Sequence, residues 1–476
     1  MTSSSEQKFP LWTLAAMVVG SMVGAGIFSL PQSFGRVTGG FGALIAWTIS
    51  GIGMLMLALV FQTLAQRKPD LDAGVYAYAR EGFGDYWGFL SALGYWAGSC
   101  IGNVSYWVLI KSTLGAFFPV FGEGNTLPAV IISSVGLWIF QFLILRGVKQ
   151  AATLNKIATI AKIIPILIFI ILLALSFKYG VFRANFWGGG QYELGNIFAQ
   201  VRGTMMVSVF VFLGIEGASV YSRYAKNRAD VGVATVMGFI GVLCLMVLVT
   251  MLSFSVMPRA DLAGLRNPSM AGVLEAVVGH WGAIFVSVGL IISVLGAYLS
   301  WTLLAAEVLY SAAESEMMPA FLARQNSKEV PAAALWLTTI MVQIFLILTL
   351  FAQYAFTLAL ELTSSMTLIP YFLVAAYALK LVWRGETYAR EPRQRRRDLT
   401  IAGLAVIYTA WLLFAAGMKY LLLSAVIYGP GTILYLVARR EQGQRAFKVY
   451  EQVVFVAASI MAVVAIWAIA TGVIAI

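Results

Sequence analysis

Apolar residues in this chain fall into blocks about 20 residues long, separated by short segments that hold most of the charge. A block of that length crosses a ~30 Å hydrocarbon core as an α-helix. Without water at that depth, each block has to satisfy its own backbone hydrogen bonds, which makes helix the expected state. The alternating pattern of an outer-membrane barrel strand is absent. The blocks lie at 11–33, 40–65, 87–114, 126–145, 155–177, 197–222, 232–257, 280–311, 332–351, 353–379, 400–417, 419–438 and 453–475, which predicts an all-α integral membrane protein of about thirteen spans. The last two blocks before Arg439 are divided only by Lys419 and Tyr420 in an almost continuous apolar run. Hydrophobic residues make up 60% of the chain and charged residues 11%. A soluble domain carries about 25% charged residues, so a water-facing surface cannot be built here.

The net charge of +11 would point to nucleic acid in a soluble protein. Its placement here points to topology instead, and no nucleic-acid partner is expected. Arg67, Lys68, Arg80, Arg146, Lys149, Arg223, Lys226, Arg324, Lys380, the run Arg384 to Arg397, Arg439 and Arg440 share one set of connections. The other set holds only Arg36, Lys178, Arg183, Arg259, Arg266 and Lys419. The positive-inside rule then places the N-terminus in the cytoplasm and, with an odd number of spans, the C-terminus outside. The basic run is read as a topology and lipid-headgroup feature, which makes membrane lipid an expected partner. Cys100 and Cys244 both lie inside apolar blocks, placed neither for a disulfide nor for a metal site. The first block has no small-residue cleavage site and is too long for a signal h-region. Clusters of His, Cys or paired acids are missing, so no enzyme, metal or cofactor is expected. A channel would want a repeated filter motif or a ring of charge. A receptor would want about seven spans or a soluble output domain.

Two spans carry interruptions. In the first, Gly20, Gly24 and Gly26 precede Pro31, and the pair Gly24-Ala25-Gly26 removes the backbone's preference for helix near mid-membrane. Small-residue helix contacts are the plainer use of such glycines. An unwound segment at that depth is tolerated only where it lines a cavity. A half-helix starting near Gly26 would turn N–H groups and a positive dipole end toward a carboxylate. Carbonyls around Met22 and Val23 would accept from an ammonium. The sixth span carries Gly214 and Gly217 around Glu216. An intramembrane carboxylate is costly and reads as functional by default. The other reading is a structural hydrogen bond to an amide freed in the break. Interrupted spans five apart are the pattern of an inverted repeat with its site at the interface.

These stretches, with Arg67-Lys68-Pro69, Gly74 to Ala79, Gly94-Tyr95-Trp96, Gly102-Asn103, Phe212 to Ser219, Ser300 to Ala305 and Ile369-Pro370-Tyr371, resemble the amino acid–polyamine–organocation superfamily. Within it the chain resembles the basic amino acid/polyamine antiporters, and most of all the bacterial arginine/ornithine exchangers. The resemblance implies inverted repeats at 1–178 and 179–380, with accessory helices in 381–476. It implies a substrate site between the two breaks, in the cytoplasmic membrane of a bacterium, and admits a homodimer built through accessory-helix faces. Carried over residue by residue, Met22, Val23, Gly24, Ala25 and Gly26 would hold the amino acid backbone. Phe210 would cover the substrate from outside. Leu213, Ser99 and Asn103 would line the site, and Trp301 would lie beside the substrate side chain. Tyr95 and Glu216 would form an inner gate. Ala25 stands where some relatives have serine, so a hydroxyl contact to the carboxylate is missing. Phe210 lacks an indole N–H, which leaves it stacking alone. Lys162 would take the place of a bound cation against the unwound part of span one, either titrating during transport or bracing it as a fixed charge. Snorkelling to the cytoplasmic surface is the alternative.

A cationic side chain in a low-dielectric pocket needs a carboxylate or an aromatic face. Trp301 and Phe210 offer faces, and Glu216 is the nearest acid. Glu307, six residues beyond Trp301, lies ~9 Å along a helix and is too cytoplasmic. Glu361 is a weaker candidate. Arg202 and Lys111 read as outer-boundary residues, and the lone His280 falls in an outer loop. The expected activity is exchange of basic amino acids, arginine for ornithine, by single-site alternating access. A proton-coupled or uniport carrier and a lysine or polyamine exchanger remain open alternatives.

Overall fold

The computed structural model describes residues 11–71, 74–147, 151–188, 193–216, 228–389 and 391–474. Among them every regular element is helical. The first apolar block is two helices, α1 (Leu11–Met22) and α2 (Leu30–Val37), joined through a 3-10 turn at Gly26–Ser29. Pro31 lies in the first turn of α2, where its missing N–H costs nothing. There follow α3 (Gly40–Arg67), α4 (Val75–Phe83), α5 (Asp85–Gly115), α6 (Leu127–Leu145), α7 (Ala151–Leu175) and α8 (Tyr179–Asn185). Next come α9 (Leu194–Phe212), α10 (Arg228–Val256), α11 (Arg259–Gly264), α12 (Ser269–Val278) and α13 (His280–Glu314). The chain closes with α14 (Ala332–Leu348), α15 (Ala355–Arg384), α16 (Pro392–Glu441) and α17 (Val449–Ala470).

Among the described residues, 9 helices are long and apolar enough to cross a membrane, and the α7–α8 pair, bent by 104°, makes up to 10. The first span falls outside that set because it is two short pieces. The 31-residue α5 falls outside because it is rich in Gly, Ser, Tyr and Trp, yet nearly every residue on it is buried. A helix sheathed by other helices need not be apolar. The expected eleventh and twelfth spans form one 50-residue run, α16, interrupted at Gly417 (φ 74°, ψ 168°). A straight helix of that length would extend ~75 Å. Instead Arg67, at the end of α3, pairs with Glu391 (2.7 Å) and Asp398 (3.6 Å), while Asp85, at the start of α5, pairs with Arg439 (3.3 Å). Both ends of α16 therefore return to one face, and the reversal falls two residues before the Lys419 division read from the sequence. The short helices α4, α8, α11 and α12 occupy segments read only as connections, being too short for a span-length search.

The centre of the molecule is α5 and α15, which pack on each other, with α13 and α9 beside them. Glycines set the close approaches: a Cβ on Gly94 would lie 2.0 Å from the Tyr428 hydroxyl. The periphery is apolar and open, as at Ile131, Val135 and Ile139 of α6 and Ile460, Val463 and Trp467 of α17. Such a belt is what a lipid-facing surface requires. Residues 217–222 of the sixth span lie outside the described residues, as do Lys149, Arg223, Lys226 and Arg390.

Candidate functional site

In the first break, the Val23 N–H still bonds to the Val19 carbonyl (2.9 Å), and the next turn-type bond is Phe28 N–H to Ala25 O (3.2 Å). Residues 23–25 between them have no regular structure. A Cβ on Gly26 would lie 2.6 Å from Val211 Cγ1 and 2.9 Å from the Phe210 ring, so only glycine lets the break press against α9. In the second break, α9 ends at Phe212, Leu213 turns to extended ψ, and Gly214 adopts φ 99°. That left-handed conformation favours glycine, and a Cβ there would also meet Ser21 O at 2.7 Å. The Ser21 hydroxyl reaches both the Val18 carbonyl (2.9 Å) and the Gly214 carbonyl (3.0 Å), which ties the two breaks together. Beyond the break, α2 is anchored by Asn267 Nδ2 donating to Gln32 Oε1 (2.8 Å) and by Arg259 Nε donating to Gly35 O (2.9 Å).

Between the breaks lies a small cavity with residues of both in its wall. Of the residues singled out from the sequence, Met22, Gly24, Ala25, Gly26, Tyr95, Ser99, Phe210, Leu213 and Trp301 line it. Val23 and Asn103 are buried outside the lining, and Asn103 Nδ2 donates to Thr302 Oγ1 (3.2 Å). Ser21, Gly102, Tyr106, Val211, Thr363 and Thr367 complete the wall and were not foreseen. Two signals could have found some of them. Tyr95, Ser99, Gly102 and Tyr106 recur at spacings of four, three and four, one face of a helix. Thr363 and Thr367 form an i, i+4 polar pair in the tenth span.

Glu216 is buried just beyond this wall. One carboxylate oxygen accepts from the Tyr95 hydroxyl. The other accepts from the Tyr371 hydroxyl (2.6 Å) and from the Gly214 N–H (3.2 Å). Both uses read from the sequence, a bond to a freed backbone amide and a contact with Tyr95, thus coexist in one side chain. Tyr371, 155 residues away, was not foreseen as its partner. The carboxylate joins α5, the second break and α15 through three hydrogen bonds.

Lys162 is 1% exposed, and its Nζ donates to the Gly20 carbonyl (2.8 Å) in the last turn of α1. It is buried against the broken helix and does not snorkel. Lys111, near the end of α5, is 5% exposed, with Nζ 5.5 Å from the Phe121 ring centre. Its four-carbon stem lets it sit inside the helix packing while the ammonium rests on an aromatic face. The Arg202 guanidinium lies 4.9 Å over Phe414, near the Gly417 reversal. His280 is exposed at the start of α13 and contacts Glu275 (3.0 Å). Glu307 is exposed and Glu361 half-buried, both outside the cavity lining. Among the described residues, no three His, Cys, Asp or Glu side chains gather as metal ligands.

Comparison with known proteins adds a sequence relationship to this geometry. A family model for amino acid permeases matches residues 9–418. The chain is 53% identical to the arginine/ornithine antiporter of Pseudomonas aeruginosa, over 99% of each protein. It is 43% identical to the L-lysine transport protein of Corynebacterium glutamicum, over 92% of this chain and 90% of that one. It is 40% identical to the arginine/agmatine antiporter of Chlamydia pneumoniae, over 99% of each.

Proposed function

Because the chain belongs to the amino acid permease family, we propose that it is a secondary transporter exchanging basic amino acids, arginine for ornithine, through one site between the two breaks. The observation that carries this reading is a single cavity with backbone of the first break on one wall and the Trp301 ring on another. An amino acid zwitterion needs donors for its carboxylate and acceptors for its ammonium, and a broken helix supplies both from backbone. The amides of residues 24–26 receive the carboxylate, and carbonyls near Met22 and Val23 receive the α-ammonium. The cationic side chain lies against Trp301 and Phe210, each face worth up to ~2 kcal/mol when water is excluded. The Thr363 hydroxyl is buried without a hydrogen-bond partner among the described residues, and its oxygen accepts from the guanidinium or ammonium.

Glu216, held by Tyr95 and Tyr371, forms the inner gate. Opening the cavity on that side separates a carboxylate from two hydroxyls, a discrete step suited to alternating access. Lys162 braces the break as a fixed positive charge on the Gly20 carbonyl, in the manner of a bound cation. Residues 1–178 and 179–380 act as two inverted repeats, with 381–476 accessory. The face carrying Arg67, Arg80 and Arg439 lies in the cytoplasm, as the charge asymmetry requires. Exchange of two substrates of equal charge needs no coupled ion.

Counterflow in reconstituted vesicles tests this, with labelled arginine outside and ornithine, lysine, agmatine, alanine or buffer inside. Uptake only with a cationic amino acid inside is the expected result, fastest with ornithine. Equal uptake into empty vesicles would replace exchange with a one-way carrier.

A further inference from the structure

Among the described residues, six hydroxyl side chains line the cavity, and four of them are already spent. Ser21 donates to Val18 O and Gly214 O, Ser99 to Tyr95 O (2.8 Å), Thr367 to Thr363 O (2.9 Å) and Tyr95 to Glu216. Thr363 and Tyr106 are left, and they occupy different places. Thr363 faces Gly102, with Cγ2 3.4 Å from where a Cβ on that glycine would stand. The Tyr106 hydroxyl instead sits over the first break: a Cβ on Gly24 would lie 3.2 Å from it. Tyr106 is buried, 6% exposed, and makes no hydrogen bond to any described residue.

That position matters because of what the break itself lacks. Met22, Gly24, Ala25 and Gly26 carry no side-chain donor, and among the described residues no Lys, Arg or His lines the cavity. An ionised carboxylate has about four acceptor sites, more than the N–H groups of so short a segment can fill. We propose that the Tyr106 hydroxyl donates to the substrate α-carboxylate, and so selects amino acids over their decarboxylated amines. The assignment rests on the exchange reading above, since it presumes a carboxylate at the break. A hydroxyl on the third span thereby supplies what Ala25 does not. The bond is charge-assisted and made where water is excluded, the setting in which such bonds are strongest. A substrate without the carboxylate gains nothing from it.

The test is equilibrium binding of arginine, ornithine and agmatine to purified full-length protein, wild type and Tyr106→Phe. The phenylalanine keeps the ring and its packing and removes only the hydroxyl. Arginine and ornithine are expected to bind about tenfold more weakly, with agmatine changed less than about twofold. The arginine-to-agmatine preference then falls by about the same tenfold. Thr363→Val is the converse variant, expected to weaken all three ligands alike. An unchanged preference in Tyr106→Phe, whether from equal losses or from none, overturns the assignment. Wild-type protein that binds none of the three overturns the basic-substrate reading itself, and the Tyr106 assignment with it.

Discussion

The two breaks in this molecule use the same residue for opposite ends. In the first, glycines clear space: Gly26 lets the chain press on α9, and residues 23–25 are left without regular structure beside the cavity. In the second, glycine makes a turn that is promptly sewn shut. Gly214 adopts a left-handed φ, its N–H goes to Glu216, and its carbonyl takes the Ser21 hydroxyl. The difference lies in where the polar groups go. In the proposed exchange cycle, an interruption whose backbone faces a cavity serves a ligand, whereas one closed by its own acid serves to hold a conformation. Glycine in mid-membrane therefore marks a broken helix without saying which kind. The neighbouring acid makes the distinction.

Four substitutions set these roles against each other. Gly26→Ala should have the largest effect, because its methyl would overlap Val211 and Phe210, both parts of a packed helix. Overpacking of this kind costs ~1–3 kcal/mol, so arginine binding should fall by up to about a hundredfold by calorimetry. Normal affinity would show that the break does not shape the site. Trp301→Leu should weaken arginine by about thirtyfold, from a loss of ~2 kcal/mol of cation–π attraction, while the protein stays folded by circular dichroism. Unchanged affinity would remove Trp301 from the site. Glu216→Gln should behave oppositely: binding within about twofold, exchange slowed about tenfold. The amide keeps one acceptor oxygen and turns the other into a donor, so one of the two tyrosine bonds is lost or reversed, a net change of ~1–1.5 kcal/mol. A binding loss equal to the rate loss would make Glu216 a ligand residue and erase the contrast between the breaks. Gly24→Ala should be mildest, a few-fold in affinity, since its methyl meets only the Tyr106 hydroxyl at 3.2 Å.

Much of the cavity lining could be read from the chain because mid-membrane is so restrictive. Paired glycines at 24 and 26 and a carboxylate at 216 are costly there unless used, so they stand out in one dimension. What stayed hidden depends on how the helices are rotated. Tyr106, Thr363 and Thr367 are ordinary polar residues until α5 and α15 turn them toward the cavity. Asn103, one step off that face, turns away to Thr302. Tyr371 meets Glu216 through tertiary packing, which no local pattern encodes. Lys162 shows the same limit: position along a span gives depth, while burial against a neighbour decides whether a lysine snorkels. The all-helical class was legible from block length alone, whereas the short helices α4, α8, α11 and α12 were not. The reversal at Gly417 was legible as the division near Lys419, and the pairings of Arg67 and Asp85 bring both ends of α16 to one face.

The most direct test of the central claim is an experimental structure of the protein with arginine bound. The expected result is the carboxylate within hydrogen-bond distance of the backbone at residues 24–26, the guanidinium against Trp301, and Glu216 still bonded to Tyr95 and Tyr371. Arginine seated with its guanidinium on Glu216, or outside the cavity between the breaks, would contradict the division of labour between them.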